Sequence, residues 1–135
     1  MRAILRIGLK FTAILIGVLG AVFFVLVNYS AVEKNFTCEG KLGDQPDIAY
    51  VVLSEYRWWV RLWSDSDGDL KLQFDKRGIT TYVPFVDKSG DGILAVYSFH
   101  RNDKDSMIGG LRIANGELVI KIYGDVVFIG RCSPR

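Results

Sequence analysis

The sequence predicts an all-β domain, a small antiparallel β-barrel or sandwich of roughly eight or nine short strands, preceded by one N-terminal transmembrane helix. Three observations carry this. Phe11 to Val27 is a run of 17 residues without a charge. After Ala31 the continuous hydrophobicity gives way to period-two alternation. Turn clusters rich in Gly, Asp, Asn and Ser then interrupt the alternation about every 8–12 residues, with no helical periodicity between them.

The helix comes first. Arg2, Arg6 and Lys10 precede the apolar run, and no acid occurs before Glu33. A span of roughly 17–25 apolar residues crosses the hydrocarbon core, and positive flanks stay on the cytoplasmic side. The expected layout is a cytoplasmic basic flank (1–10), a signal anchor (11–29), a linker (30–35) and an exported β domain (36–135). The expected location is the inner membrane, single-pass, with the C-terminal domain periplasmic. The alternative is secretion after cleavage of a signal peptide, but such apolar regions run only about 7–15 residues before small residues at the cut. A lipoprotein is not expected, because the first cysteine, Cys38, lies beyond the run without small residues before it. Gly17 and Gly20 are spaced i, i+3, not the i, i+4 of a helix-pairing motif.

The net charge of +2 divides along the same boundary. Three of the 17 basic residues lie in the first ten positions, leaving 14 against 15 acids from Ala31 onward. A near-neutral domain argues against a nucleic-acid partner, which would need positive charge concentrated on the folded part.

The expected strands are Phe36–Gly40, Ile48–Glu55, Tyr56–Trp63, Leu70–Asp75, Ile79–Val86, Ile93–His100, Met107–Ala114, Leu118–Tyr123 and Val126–Cys132. Asn115-Gly116 reads as a type I′ hairpin turn, whose central residues both need positive φ. Pro84 removes a ladder donor and marks an edge or a bulge. Tyr56–Trp63 is read as pairing with Leu70–Asp75 through Leu62 to Leu70, Val60 to Leu72 and Trp58 to Phe74. That register sets Arg57 opposite Asp75 and Arg61 opposite Lys71.

Cys38 and Cys132, the two cysteines of the chain, bracket the exported part. Export brings an oxidising compartment, where such a pair forms a disulfide. A redox or metal role lacks support, since Cys-x-x-Cys is absent and His100 is the one histidine.

The candidate binding surface is the stripe Arg57, Trp59, Arg61 and Trp63, read as the outward face of its strand. Trp and Arg are the residues most enriched at interface hot spots. Alternatively, the stripe holds itself together by cation–π attraction, or it faces a barrel lumen. Its expected partners are a protein, a glycan or a lipid. A weak calcium candidate is Asp87, Ser89 and Asp91, which match the first half of an EF-hand loop. Ser98 stands where the bidentate glutamate would be. Turn chemistry accounts equally for those residues and for Ser64–Asp69. No nucleophile, base and orienter assemble, His100 reads as a surface residue, and no enzyme or cofactor is expected. Asn35-Phe36-Thr37 is a glycosylation sequon, relevant in a eukaryotic source.

Phe36-Thr37-Cys38 and Cys132, on an all-β domain after an N-terminal signal, resemble the bracketing plan of the bacterial membrane-bound inhibitors of c-type lysozyme. That family carries a Ser-Gly-x-x-Tyr motif. Here Ser89-Gly90 is followed by Asp91-Gly92-Ile93, and the next tyrosine is Tyr97. The meander also resembles lipocalin-type barrels, whose lumen binds apolar ligands, but without their opening Gly-x-Trp. The expected function is a membrane-anchored exported β domain acting as a binding or interaction module in the cell envelope. Its alternatives are a structural accessory subunit of a membrane complex and a periplasmic inhibitor of a lysozyme-type enzyme.

Overall fold

The computed structural model describes residues 2–102 and 106–135. The chain divides into two compact units, Met1–Ser30 and Ala31–Arg135. The first is a single helix, α1 (Arg2–Asn28). Its Lys10–Asn28 portion has a mean hydropathy of 2.5 and is long and apolar enough to cross a membrane; at 1.5 Å per residue it measures about 28 Å. The helix end is satisfied locally. Asn28 Nδ2 donates to Phe24 O (2.9 Å) and Ser30 Oγ donates to Val27 O (3.1 Å).

The second unit is a closed barrel of eight strands in sequence order: β1 (Ala31–Leu42), β2 (Gln45–Tyr56), β3 (Gly68–Phe74), β4 (Thr80–Ser89), β5 (Val96–His100), β6 (Met107–Arg112), β7 (Glu117–Tyr123) and β8 (Val126–Pro134). Every neighbouring pair is antiparallel, and β8 returns to β1 to close the ring. Closure leaves no open sheet edge. Two short helical pieces interrupt the meander, α2 (Trp58–Arg61) and a 3₁₀ turn over Gly92–Leu94.

Period-two alternation does what the sequence requires of it. Phe36, Cys38 and Leu42 in β1, Ala49, Val51 and Leu53 in β2, and Leu70, Leu72 and Phe74 in β3 all turn inward and are buried. Tyr97 and Phe99 in β5 and Phe128 in β8 fill the centre, with the Phe74 and Phe128 rings edge to face at 5.3 Å. The lumen is thus a packed core, as expected when eight strands enclose a space that side chains can fill. The lipocalin resemblance reaches the meander and stops at the ligand cavity.

Several expectations need correction. Tyr56–Trp63 is not a strand: β2 ends at Tyr56, and the chain turns into α2. The reason is that β3 already has both neighbours. Leu70, Leu72 and Phe74 pair with Leu53, Val51 and Ala49 of β2, and the other edge of β3 pairs with β4. The inward face assigned to Leu70, Leu72 and Phe74 is right, but the partner strand is not. Arg57 therefore does not face Asp75, nor Arg61 Lys71. The segment 30–35 read as a linker is mostly the start of β1, since Ala31 to Asn35 pair with Tyr56 to Val52. Asn115-Gly116 does sit in a hairpin, but not a type I′ turn. Only Gly116 has positive φ (65°), its N–H donates to Ile113 O, and Asn115 Oδ1 accepts the Glu117 N–H. Four residues, Ile113–Gly116, thus join β6 to β7. Pro84 marks a bulge, as read: the β3–β4 register jumps from Leu70↔Val83 to Gly68↔Val86. Of the expected turn Arg101–Ser106, residues 103–105 lie outside the described residues.

Closure brings β1 and β8 very near each other at Gly40, which pairs with Gly130. A Cβ on Gly40 would lie 2.1 Å from Ile129 O and 2.4 Å from Gly130 Cα. Backbone cannot rotate away as a side chain can. Gly40→Ala is expected to destabilise the barrel by about 2 kcal/mol, read as a lower urea midpoint. An unchanged midpoint would show that the seam can widen freely.

Candidate functional site

Antiparallel alternation also sorts the connections between strands into two poles. The chain enters β1 at one pole, which also carries the β2–β3, β4–β5 and β6–β7 connections. Inward-facing residues at this pole are polar. Lys34 follows the parity of Phe36 and Cys38, Glu55 that of Leu53, Lys88 that of Val86, and Tyr97 that of Phe99. Their side chains meet: Lys34 Nζ lies 2.7 Å and Lys88 Nζ 2.6 Å from the Glu55 carboxylate. Tyr97 Oη donates to Glu55 Oε2 at 3.0 Å and receives Lys34 Nζ at 2.9 Å. The cluster closes the packed lumen with a hydrogen-bonded polar layer.

The electrostatics follow from that geometry. Burial pushes the Glu55 carboxyl up, but hydrogen bonds from Lys34, Lys88 and Tyr97 outweigh it and hold the group at about 2. Lys88 is raised, chiefly by its hydrogen bond to Glu55. For Lys34 burial acts downward, and the bonds to Glu55 and Tyr97 overcome it, giving a net rise. Nearby, burial and its hydrogen bond to Asp69 push Tyr56 up to about 12.

The β2–β3 connection has a pinned half and a projecting half. Ser66 is buried; its Oγ accepts the Val86 N–H (2.8 Å) and lies 2.5 Å from Gly68 O. Asp67 N donates to Val86 O, and Asp67 Oδ2 accepts the Lys88 N–H. These bonds satisfy the groups that the β3–β4 bulge leaves unpaired. The other half, Arg57 to Trp63, stands out from the barrel. Arg57 occupies the helix N-cap, and Val60 N and Arg61 N both donate to its carbonyl.

The candidate stripe therefore exists as a helical turn rather than a strand face. Arg57 and Trp63 are exposed, Trp59 is half-buried, and Arg61 folds back. Arg61 Nε donates to Tyr56 O (3.1 Å) and pairs with Asp67 and Glu55, each at 3.5 Å. None of the four faces the lumen. The cation–π contacts among the described residues are Lys34 over Tyr97 and Arg135 over Tyr50, not arginine over tryptophan.

Exposed apolar side chains concentrate at the same pole. Trp63 is 90% exposed, and Trp58, Leu62, Ile93 and Leu94 are 69–73% exposed. The connections at the other pole present Gly43-Asp44, Lys76-Arg77, Asn102 and Asp125 among the described residues, with Met107 and Tyr123 exposed on adjoining strand ends. An open groove of about 330 Å³ runs beside α2, lined by Val32, Lys34, Glu55, Arg57, Trp58 and Arg61. Three cations and one carboxylate line it, and that carboxylate is already held by lysines.

The calcium candidate is not assembled. Asp87 Oδ2 lies 3.3 Å from His100 Nε2, Asp91 Oδ1 lies 3.1 Å from Lys88 Nζ, and among the described residues no three His, Cys, Asp or Glu side chains are grouped to hold a metal ion. His100 is buried, not a surface residue, because it sits inside the β5–β6 irregularity. Cys38 and Cys132 pair across the β1–β8 seam and form a disulfide. Tyr97, which follows Ser89-Gly90, points inward to Glu55. No protein-family model matches the chain, and no curated protein or solved structure matches it.

Sequence reading missed Lys34, Glu55, Lys88 and Tyr97 as a cluster, along with Leu62, Ile93 and Leu94 as exposed loop residues. A usable signal existed in charge falling on the inward parity at strand ends. It became visible only once the barrel order placed β1, β2, β4 and β5 around one mouth.

Proposed function

We propose that the protein is a membrane-anchored, exported β-barrel that acts as a surface-binding module in the cell envelope. The lumen is filled, so recognition belongs to the outside. The observation that carries the reading is the polarised distribution of Trp58, Leu62, Trp63, Ile93 and Leu94, with Arg57 beside them, at one pole. Exposed tryptophan flanked by arginine binds partners at little entropic cost. The disulfide and the apolar α1 support export and anchoring.

In membranes from cells producing the full chain, the protein is expected to resist alkaline carbonate extraction and to yield no free thiol after denaturation. Two titratable thiols in protein from its native compartment would defeat the export reading. A soluble product shortened near Asn28–Ala31 would replace the anchor by a cleaved signal.

A further inference from the structure

We infer that the pole bearing α2 docks on the lipid surface of the membrane that holds the helix, with the tryptophan side chains in the interfacial layer and Arg57 directed at lipid phosphate. This rests on the anchored reading above and names the partner of the same surface. Chain length supplies the first support. Only Tyr29 and Ser30 separate Asn28, the end of α1, from Ala31, the start of β1. At about 3.5 Å per residue the backbone allows no more than roughly 10 Å between those two residues. Ala31 pairs with Tyr56, the residue at which the chain leaves β2 for α2. The chain thus leaves α1 and enters the barrel at the pole that bears α2.

Composition supplies the second support. The residues crowded at this pole are those that partition to a membrane interface: Trp58 and Trp63 as amphipathic rings, and Leu62, Ile93 and Leu94 as apolar side chains for the layer beneath. Tyr29 continues the aromatic set in sequence. Charge supplies the third. The Arg57 side chain is exposed and has no hydrogen bond or ion pair among the described residues. The groove beside it carries Lys34 and Arg61 as well. Lys34 is paired with Glu55 and Arg61 with Glu55 and Asp67, so Arg57 is the cation of that groove left open to a phosphate. The turns of the opposite pole carry Asp44, Lys76, Arg77 and Asp125, whereas all three tryptophans lie at the α2 pole.

The molecule carries its own reporter, since all three tryptophans lie between residues 58 and 63. The full chain would be reconstituted into phosphatidylcholine vesicles, plain or brominated near the glycerol end of one acyl chain, each with and without phosphatidylglycerol. Tryptophan emission is expected to fall about two-fold in brominated relative to plain vesicles, as befits rings at interfacial depth. Joint Trp58→Phe and Trp63→Phe replacement, leaving half-buried Trp59, is expected to remove most of that quenching. Unquenched emission in both lipid compositions, from protein that resists carbonate extraction, overturns this inference and leaves the anchor intact. Protein washed off by carbonate overturns the anchored reading and this inference together. Unquenched emission that shifts to the blue when a purified envelope protein is added would assign the pole to a protein partner instead.

Discussion

Replacing Glu55 by glutamine is expected to lower the stability of the barrel by about 2–3 kcal/mol at neutral pH. The carboxylate bridges Lys34 and Lys88, whose ammonium groups approach it to 2.7 and 2.6 Å, while Lys88 also lies 3.1 Å from the exposed Asp91 carboxylate. An amide would offer both cations a single neutral oxygen and leave Lys88 only the exposed Asp91, in a site where Glu55 and Lys88 side chains are only 15% and 13% exposed. The pH dependence separates this charge effect from a loss of packing. The folded carboxyl titrates at about 2 against an ordinary 4.5. Its contribution is therefore complete above pH 4.5 and disappears as pH falls through 2. Lys34 and Lys88 are raised, so their contribution is complete below the ordinary lysine value and disappears as pH climbs through the folded ones. Urea unfolding of wild type and Glu55→Gln at pH 7, 4 and 2.5 should show a gap that narrows steadily toward acid. A gap that stays constant over that range would mean that the glutamine costs packing and not charge.

The second large effect is the disulfide. Cys38→Ala with Cys132→Ala is expected to cost about 4 kcal/mol in the chain-entropy model. The bond links residues 94 apart in sequence, so the unfolded chain gains substantial freedom when it is absent. It also lies on the seam that closes the barrel. Of all the neighbouring strand pairs, β1 and β8 are the most distant in sequence, and their ladder forms against the greatest loop-closure entropy. The double variant should unfold at a clearly lower urea concentration than oxidised wild type, and reduced wild type should behave like the variant. Coincident curves for oxidised and reduced wild type would refute the claim.

How much was legible beforehand depended on which interactions are local. The helix could be read because hydrophobicity over 17 residues is a one-dimensional property. The inward sets in β1, β2 and β3 could be read because side-chain parity is local too. The cysteine pair followed from composition and compartment. Partner choice was not local. Leu70, Leu72 and Phe74 fit a strand containing Trp58, Val60 and Leu62 as well as one containing Ala49, Val51 and Leu53, since both alternate suitably. Ring closure decides between them, because it leaves β3 exactly two neighbours to satisfy. The same gap hid the candidate site. Glu55 and Lys88 are 33 residues apart, and Ile93 joins Trp63 at one pole only through the order of eight strands. The segment Arg57 to Trp63 was read as a strand face and is a helical turn instead. A short run alternating aromatic and arginine residues carries little to distinguish a strand from a helical turn.

The Cys38–Cys132 bond turns most of the β domain into a covalent loop, with β1 and β8 as its clasp. The exposed turn at Lys76-Arg77, between β3 and β4, lies inside that loop. A protease that cuts there opens the loop without releasing either part. The two fragments stay joined through sulfur, and every strand remains beside its neighbour. The break becomes apparent only when the disulfide is reduced, so a nicked population can pass for intact protein in any assay run without reductant. The domain thereby tolerates a single chain break at the pole that bears Lys76-Arg77, whereas reduction followed by a cut would let the N-terminal half part from the rest.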